Sequence, residues 1–257
     1  MFSERHGPWA VVAGASEGMG AEFARQLSAR GLKVVLVARR EPVLRELAAS
    51  FPNETRCLAL DLASPDAAQR IADFTRELDV GLVVYNAALS PIGPFVEQTV
   101  EENLRAIDVN VKTPTALTHH FVPRLLARGR GTVVLLSSLT AFQGSPFVST
   151  YGATKSYNLA LAEGLWAELR GTGVEVLAVC AGATATPNLL KATKAPPPGM
   201  LQPADVVREA LEHLDAGPLF IPGAFNRFAS FFMRRLLPRR TTIRIMGAQT
   251  RKLQLPP

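Results

Sequence analysis

Short, almost uninterrupted apolar runs recur along the chain as "WAVVAG", "KVVLVA", "RCLALD", "GLVVYN", "GTVVLLSS", "GVEVLAVC" and "GPLFIPG". Strands covered on both faces need such runs, because neither face meets water. Between the runs, apolar positions recur every three or four residues, which predicts helices over residues 21–29, 41–49 and 67–77. Strand and helix patterns alternate along the whole chain. That order predicts a doubly wound α/β fold, a parallel sheet of about seven strands with helices on both faces and right-handed crossovers.

A chain of 257 residues, 47% of them hydrophobic, is long enough to bury one sizeable core. We expect one domain over residues 1–222 and a C-terminal extension over 223–257. The opening "MFSERHGPW" mixes charges ahead of a short apolar run, and no run approaches the roughly 18 apolar residues of a membrane span. Neither export nor a transmembrane anchor is expected. Cys57 and Cys180 lack metal-ligand spacing and read as buried free thiols of a reducing, cytoplasmic compartment rather than a redox pair. No metal site is expected.

The net charge of +6 is unevenly placed. From Ala216 onward there are eight basic residues (Arg227, Arg234, Arg235, Arg239, Arg240, Arg244, Arg251 and Lys252) and no acidic one, and removing them leaves 20 basic against 22 acidic. The basicity therefore belongs to the tail. There it is interleaved with Phe225, Phe228, Phe231, Phe232, Leu236 and Leu237, ahead of a helix-breaking Pro238. Three readings stay open for residues 225–252: peripheral contact with an anionic membrane, recognition of an acyl carrier's phosphate, or packing against the body or a second subunit. Nucleic acid is not an expected partner, because the body lacks a basic stripe.

After the first predicted strand comes "AGASEGMGAEFARQL", with Gly14, Gly18 and Gly20 leading into a helix. Glycines there let backbone amides and a helix N-terminus approach a pyrophosphate. A tight turn that merely needs glycine is the alternative. The second strand ends in Arg39 and Arg40, where an acidic residue would hold a ribose 2′-hydroxyl. Guanidinium groups suit a 2′-phosphate, so the expected cofactor is NADP(H); Glu41 turned back to a ribose, or a solvated helix start, are the alternatives. Asp61 and Leu62, after the third strand, can border an adenine ring, or Asp61 can serve as a turn acceptor. Asn86 ends the fourth strand, Asn110 needs a partner inside an apolar helical stretch, and Ser137 and Ser138 end the fifth, where open sheets bind ligands. "YGATK" puts Tyr151 and Lys155 on one helical face. His119 and His120 read as a surface or interface pair, and Phe121 and Trp166 as helix packing.

In order and spacing, Gly14-x3-Gly18-x-Gly20, Asn86-Ala87, Asn110, Ser138 and Tyr151-x3-Lys155 resemble the short-chain dehydrogenase/reductase family, over about residues 8–222. The resemblance implies a Rossmann-type fold, a homodimer or homotetramer, and oxidoreduction of a small carbonyl/alcohol pair. It implies cofactor contacts from Gly14, Ser16, Glu17, Gly18, Met19, Gly20, Arg39, Arg40, Asp61, Leu62, Asn86, Ala87, Ala88, Tyr151, Lys155, Gly182, Thr184 and Thr186. Tyr151 would be general acid and base, Ser138 would bond the carbonyl, Asn110 would anchor a relay water, and Lys155 would hold the nicotinamide ribose and lower the tyrosine's pKa. The chain departs from the family pattern at Ala13, at Tyr85 and Ala88 around Asn86-Ala87, and at Ala181 before Gly182. The resemblance also makes residues of about 187–202 the substrate lid of the catalytic domain, where Leu189, Leu190, Met200 and Leu201 point to a hydrophobic ketone or aldehyde, while Lys191 and Lys194 either meet an acidic group or are solvated. A non-catalytic NADP-binding sensor recruited through its basic tail is the rival reading.

Overall fold

The computed structural model describes residues 2–193 and 196–251. The strands are β1 (Trp9–Ala13), β2 (Lys33–Ala38), β3 (Thr55–Ala59), β4 (Val80–Tyr85), β5 (Gly131–Ser138), β6 (Val174–Ala181) and β7 (Leu219–Phe220). They form one seven-stranded sheet in the order β3-β2-β1-β4-β5-β6-β7, and every pairing is parallel. The helices are α1 (Phe2–His6), α2 (Gly18–Ala29), α3 (Glu41–Ala49), α4 (Ala67–Phe74), α5 (Val100–Ile107), α6 (Thr113–Arg128), α7 (Ser149–Glu168), α8 (Pro187–Ala192), α9 (Pro203–Glu212), α10 (Ala224–Arg235) and α11 (Arg239–Thr250).

Alternate strand residues feed two cores. Val11, Val35, Val83, Val133 and Val176 meet Leu117, Phe121 and Leu125 of α6 and Leu159 of α7 on one face. Val12, Leu36, Val84, Val134 and Val179 meet Phe23 and Leu27 of α2, Leu44 of α3 and Val207 of α9 on the other. Burial on both faces explains why the runs were continuous rather than alternating. Strand order reverses between β1 and β4, which opens a crevice above the carboxyl ends of those strands.

Local chemistry moves some boundaries. The α2 helix starts at Gly18, before the predicted residue 21, because Gly18 and Gly20 wind into its first turn. The α4 helix stops at Phe74 rather than 77, where the buried Thr75 hydroxyl donates to the Ile71 carbonyl at 2.8 Å and competes with the helical ladder. The predicted apolar helix around Asn110 contains a π-helical turn, Asp108–Lys112, between α5 and α6.

At the opposite end of the sheet, the His6 ring lies 3.2 Å from the Thr132 hydroxyl, and burial pushes its pKa down to about 4 from 6.5, with Arg5 and Arg128 adding to the effect. The unfolded chain then takes up this proton first as pH falls. Stability should therefore decline by about 3 kcal/mol between pH 6.5 and 4. His6→Gln should flatten that part of a Tm-against-pH curve.

Candidate active site

The glycine turn is held closed by backbone contact. A Cβ on Gly20 would stand 1.9 Å from the Gly14 carbonyl oxygen, and Gly14 itself adopts φ +85° with Ala87 N 2.6 Å from where its Cβ would be. Asn86 Nδ2 donates to Gly14 O at 3.0 Å, locking the end of β4 to the end of β1. Asn86 Oδ1 is buried with no partner among the described residues, and Glu17 gives α2 no side-chain cap. An orphaned acceptor and an uncapped helix N-terminus bordering one glycine turn fit a dinucleotide. Thr186 lies against this turn, its Cγ2 2.9 Å from a Cβ placed on Gly18.

Arg39 and Arg40 are both exposed at the end of β2. Arg40 Nη2 meets Glu17 at 2.5 Å and Ser16 Oγ at 3.3 Å, so part of its charge is spent on the glycine turn. Arg39 is left as the freer cation, near enough to Asp61 to act on its ionisation. Burial raises the Asp61 carboxyl, but the Ala63 amide, Arg105 at 2.5 Å and Arg39 together bring it below the usual carboxylate range. Asp61 thus serves as a turn acceptor through Ala63 N at 3.0 Å. The Leu62 side chain is buried in the core, and its carbonyl accepts from Thr113 at 2.8 Å.

Ser138 ends β5, and its Oγ accepts from Thr140 N at 3.2 Å, capping the short turn Leu139–Phe142. Tyr151 and Lys155 stand on the first turns of α7. Lys155 is buried, and its Nζ donates to the Leu136 carbonyl at 2.6 Å while lying 5.6 Å from the Tyr151 ring centroid. Burial lowers the Lys155 pKa to about 8, which leaves it largely cationic at neutral pH. The Tyr151 phenol is pushed up rather than down: burial penalises the phenolate, and a hydrogen bond with Ser138 opposes this only in part. The protein alone therefore keeps Tyr151 protonated.

The Asn110 side chain bridges two distant segments. Its Nδ2 donates to Leu89 O at 2.8 Å and Thr154 Oγ1 at 3.0 Å, and its Oδ1 accepts from Leu89 N at 2.8 Å. With both amide hydrogens taken, the Asn110 side chain pins the segment following β4 to α7. Asn110→Ala should leave two Leu89 backbone groups unpaired and cost about 2 kcal/mol or more. A thermal melt checks the stability change, and kinetics should show kcat falling more than KM.

Three residues that sequence reasoning missed hold the site. Tyr85, in place of the family's asparagine, is buried and donates its hydroxyl to the Val109 carbonyl in the π turn. Thr154 links Asn110 to the Tyr151 carbonyl, to which it donates at 2.8 Å. Asn226 of α10 donates to Gly199 O and Pro222 O, each at 3.2 Å, and fills the space beside Gly182. The available signals were a tyrosine closing β4, a threonine between Tyr151 and Lys155 on α7, and the lone asparagine of the basic tail. Thr184 is buried and pairs with Leu201 in an isolated bridge, and Thr186 caps α8 through Leu189 N at 3.4 Å. Ala88, Lys191 and Leu190 are exposed, while Met19, Ala87, Leu189, Met200 and Leu201 are half-buried. Lys194 and Lys252 lie outside the described residues.

A glycine turn at a helix start in the sheet's switch crevice, with a serine, a tyrosine and a lysine at the end of β5, defines a nucleotide-dependent oxidoreductase. The family model described as short chain dehydrogenase matches residues 8–196, and the chain belongs to the short-chain dehydrogenase/reductase family. It is 34% identical over 233 residues to a 7beta-hydroxysteroid dehydrogenase of Clostridium sardiniense, covering 88% of this chain and 89% of the relative. It is 33% identical over 182 residues to a very-long-chain 3-oxoacyl-CoA reductase of Pyricularia oryzae, covering 67% of this chain and 55% of the relative. A solved structure from work on 7beta-hydroxysteroid dehydrogenase stereoselectivity superposes with a TM-score of 0.89 at 32% identity, covering 95% of this chain and 98% of the other. A short-chain dehydrogenase from Sphingobium yanoikuyae in complex with NADPH gives a TM-score of 0.78 at 31% identity, over 89% and 93% of the two chains.

Proposed function

We propose that this oxidoreductase interconverts a hydrophobic polycyclic ketone and its alcohol, of the hydroxysteroid class, with NADP(H). The convergence of Ser138, Tyr151 and the buried Lys155 at the carboxyl end of β5 carries the reading. The substrate class rests on the apolar lid residues and on the hydroxysteroid dehydrogenases that match most of the chain's length.

NADP(H), when bound, supplies or accepts the hydride. In reduction, Tyr151 gives its phenolic proton to the carbonyl oxygen and Ser138 Oγ holds that oxygen, so hydride and proton together make the alcohol; oxidation runs the same transfer backwards. The raised Tyr151 pKa suits the acid role. Lys155, cationic at neutral pH, would hold ribose hydroxyls and offset phenolate charge as the proton leaves. Gly14, Gly18 and Gly20 would admit the pyrophosphate, Asn86 would shape the crevice, and Arg39, more than Arg40, would hold a 2′-phosphate.

Arg39→Ala should weaken NADPH binding roughly ten- to hundredfold, the value of a charge-assisted hydrogen bond, and leave NADH unchanged. Fluorescence titration with both cofactors tests this, and equal losses would remove the NADP assignment. The protein would work in the cytoplasm as a homodimer or homotetramer. The exposed Phe95, Val96, Val100 and Leu104, in and just ahead of α5, support a second copy at that strip.

A further inference from the structure

The α10 helix is turned inside out. Its buried positions are Asn226 and Ser230, whereas Phe225, Phe228, Phe231 and Phe232 are 57%, 70%, 60% and 42% exposed, and Leu236, just beyond its end, is 62% exposed. At 3.6 residues per turn, Phe225, Phe228 and Phe232 share one outward face, with Phe231 at its edge. Aromatic rings shown to water along about two turns of helix mark a surface that another phase or molecule covers.

Beside that face lies an open cleft of about 160 Å³ lined by Ile221, Arg227, Ser230, Phe231, Arg234 and Arg235. Ser230 is 2% exposed, and its Oγ has no hydrogen-bond partner among the described residues. Arg227 is engaged by Glu209 at 3.0 Å, and the Arg234 guanidinium stacks 4.0 Å from the Phe142 ring centroid, which leaves its positive charge unpaired by that contact. Arg235, Arg239, Arg240 and Arg244 are exposed on the same helical pair. The chain has no acidic residue from Ala216 onward.

We propose that α10 is a docking face for an anionic phospholipid bilayer, with its phenylalanines entering the acyl boundary and a headgroup phosphate taken by Arg234, Arg235 and the Ser230 hydroxyl. An apolar face flanked by cations is the arrangement of a helix lying in the interface plane. No described helix is long and apolar enough to cross a membrane. A two-fold contact between copies through this face would set an arginine-bearing patch with no acidic residue against a copy of itself, whereas an anionic surface neutralises it. Asn226 ties the start of α10 to Gly199 of the lid and packs on Gly182, so the docked face would stand beside the entrance for an apolar substrate.

The test is co-sedimentation of the full chain with phosphatidylcholine vesicles and with vesicles containing phosphatidylglycerol. Binding should be roughly tenfold or more tighter to the anionic vesicles and should weaken with salt. It should be lost in Phe228→Ser/Phe232→Ser and reduced in Arg235→Gln/Arg240→Gln, with the wild-type melting temperature kept in both. Equal binding to both vesicle types, or none to either, overturns the proposal. So does a change of molecular mass in the phenylalanine variant by light scattering, which would make the face a contact between copies. The readout is independent of turnover, so its failure leaves the oxidoreductase reading intact.

Discussion

Tyr151→Phe is expected to lower kcat by roughly 10²–10⁴-fold while leaving the NADPH dissociation constant unchanged, because it deletes one proton donor and no packing volume. Tyr151 sits on α7 with Lys155 one turn on, and burial raises its pKa, opposed in part by the hydrogen bond with Ser138. The protonated phenol is thus the resting form at neutral pH. Reduction should be flat through neutrality and fall only in the alkaline range as the proton is lost, whereas oxidation, which needs the phenolate, should rise over the same range. In Tyr151→Phe both pH dependences should vanish along with the rate. Steady-state kinetics in both directions, with a cofactor titration, separate this outcome from a folding defect, which would weaken cofactor binding as well.

Gly20→Ala should be the most damaging single-methyl change in the crevice. The new Cβ would lie 1.9 Å from the Gly14 carbonyl oxygen and 2.6 Å from Asn86 Nδ2, and the nearer atom is backbone that cannot rotate away. Relief requires the whole glycine turn to open, for a stability loss of about 3 kcal/mol, at the upper end of ordinary overpacking. Since every 1.4 kcal/mol of lost binding is tenfold, a turn displaced from the pyrophosphate should also lose NADPH affinity by roughly tenfold or more. Gly31→Ala is the control. Its φ of +88° penalises alanine, but nothing lies within 4 Å of the added methyl, so the melting temperature should fall modestly and cofactor affinity should hold. Chemical denaturation and fluorescence titration of the two variants give the comparison.

The fold was legible because its signals are local and repeated. Each strand announces itself as a run such as "KVVLVA", and the crossover rules leave few ways to arrange seven of them. The glycine turn and Tyr151-x3-Lys155 were legible because spacing in sequence becomes adjacency within one turn of chain. What was hidden depends on contacts between distant segments. That Asn110 spends its amide on Leu89, 21 residues away, cannot be read from its apolar neighbours. Tyr85 looked like a departure from a family pattern, yet its hydroxyl closes the π turn at Val109. Arg39 and Arg40 are adjacent and chemically alike, and only the Glu17 contact shows that one is partly engaged. The tail's composition showed phenylalanine and arginine, but not that Asn226 and Ser230 would face inward.

The central claim is that Ser138, Tyr151 and Lys155 drive hydride exchange between NADP(H) and a hydrophobic ketone. It is tested most directly by the initial rate of NADPH consumption, followed by absorbance, with purified protein and a panel of polycyclic ketones, aliphatic ketones and 3-oxoacyl thioesters. Rapid consumption with polycyclic ketones, slower with NADH and abolished in Tyr151→Phe, is the predicted result. NADPH bound but not consumed across the panel, or consumed equally by Tyr151→Phe, would contradict it.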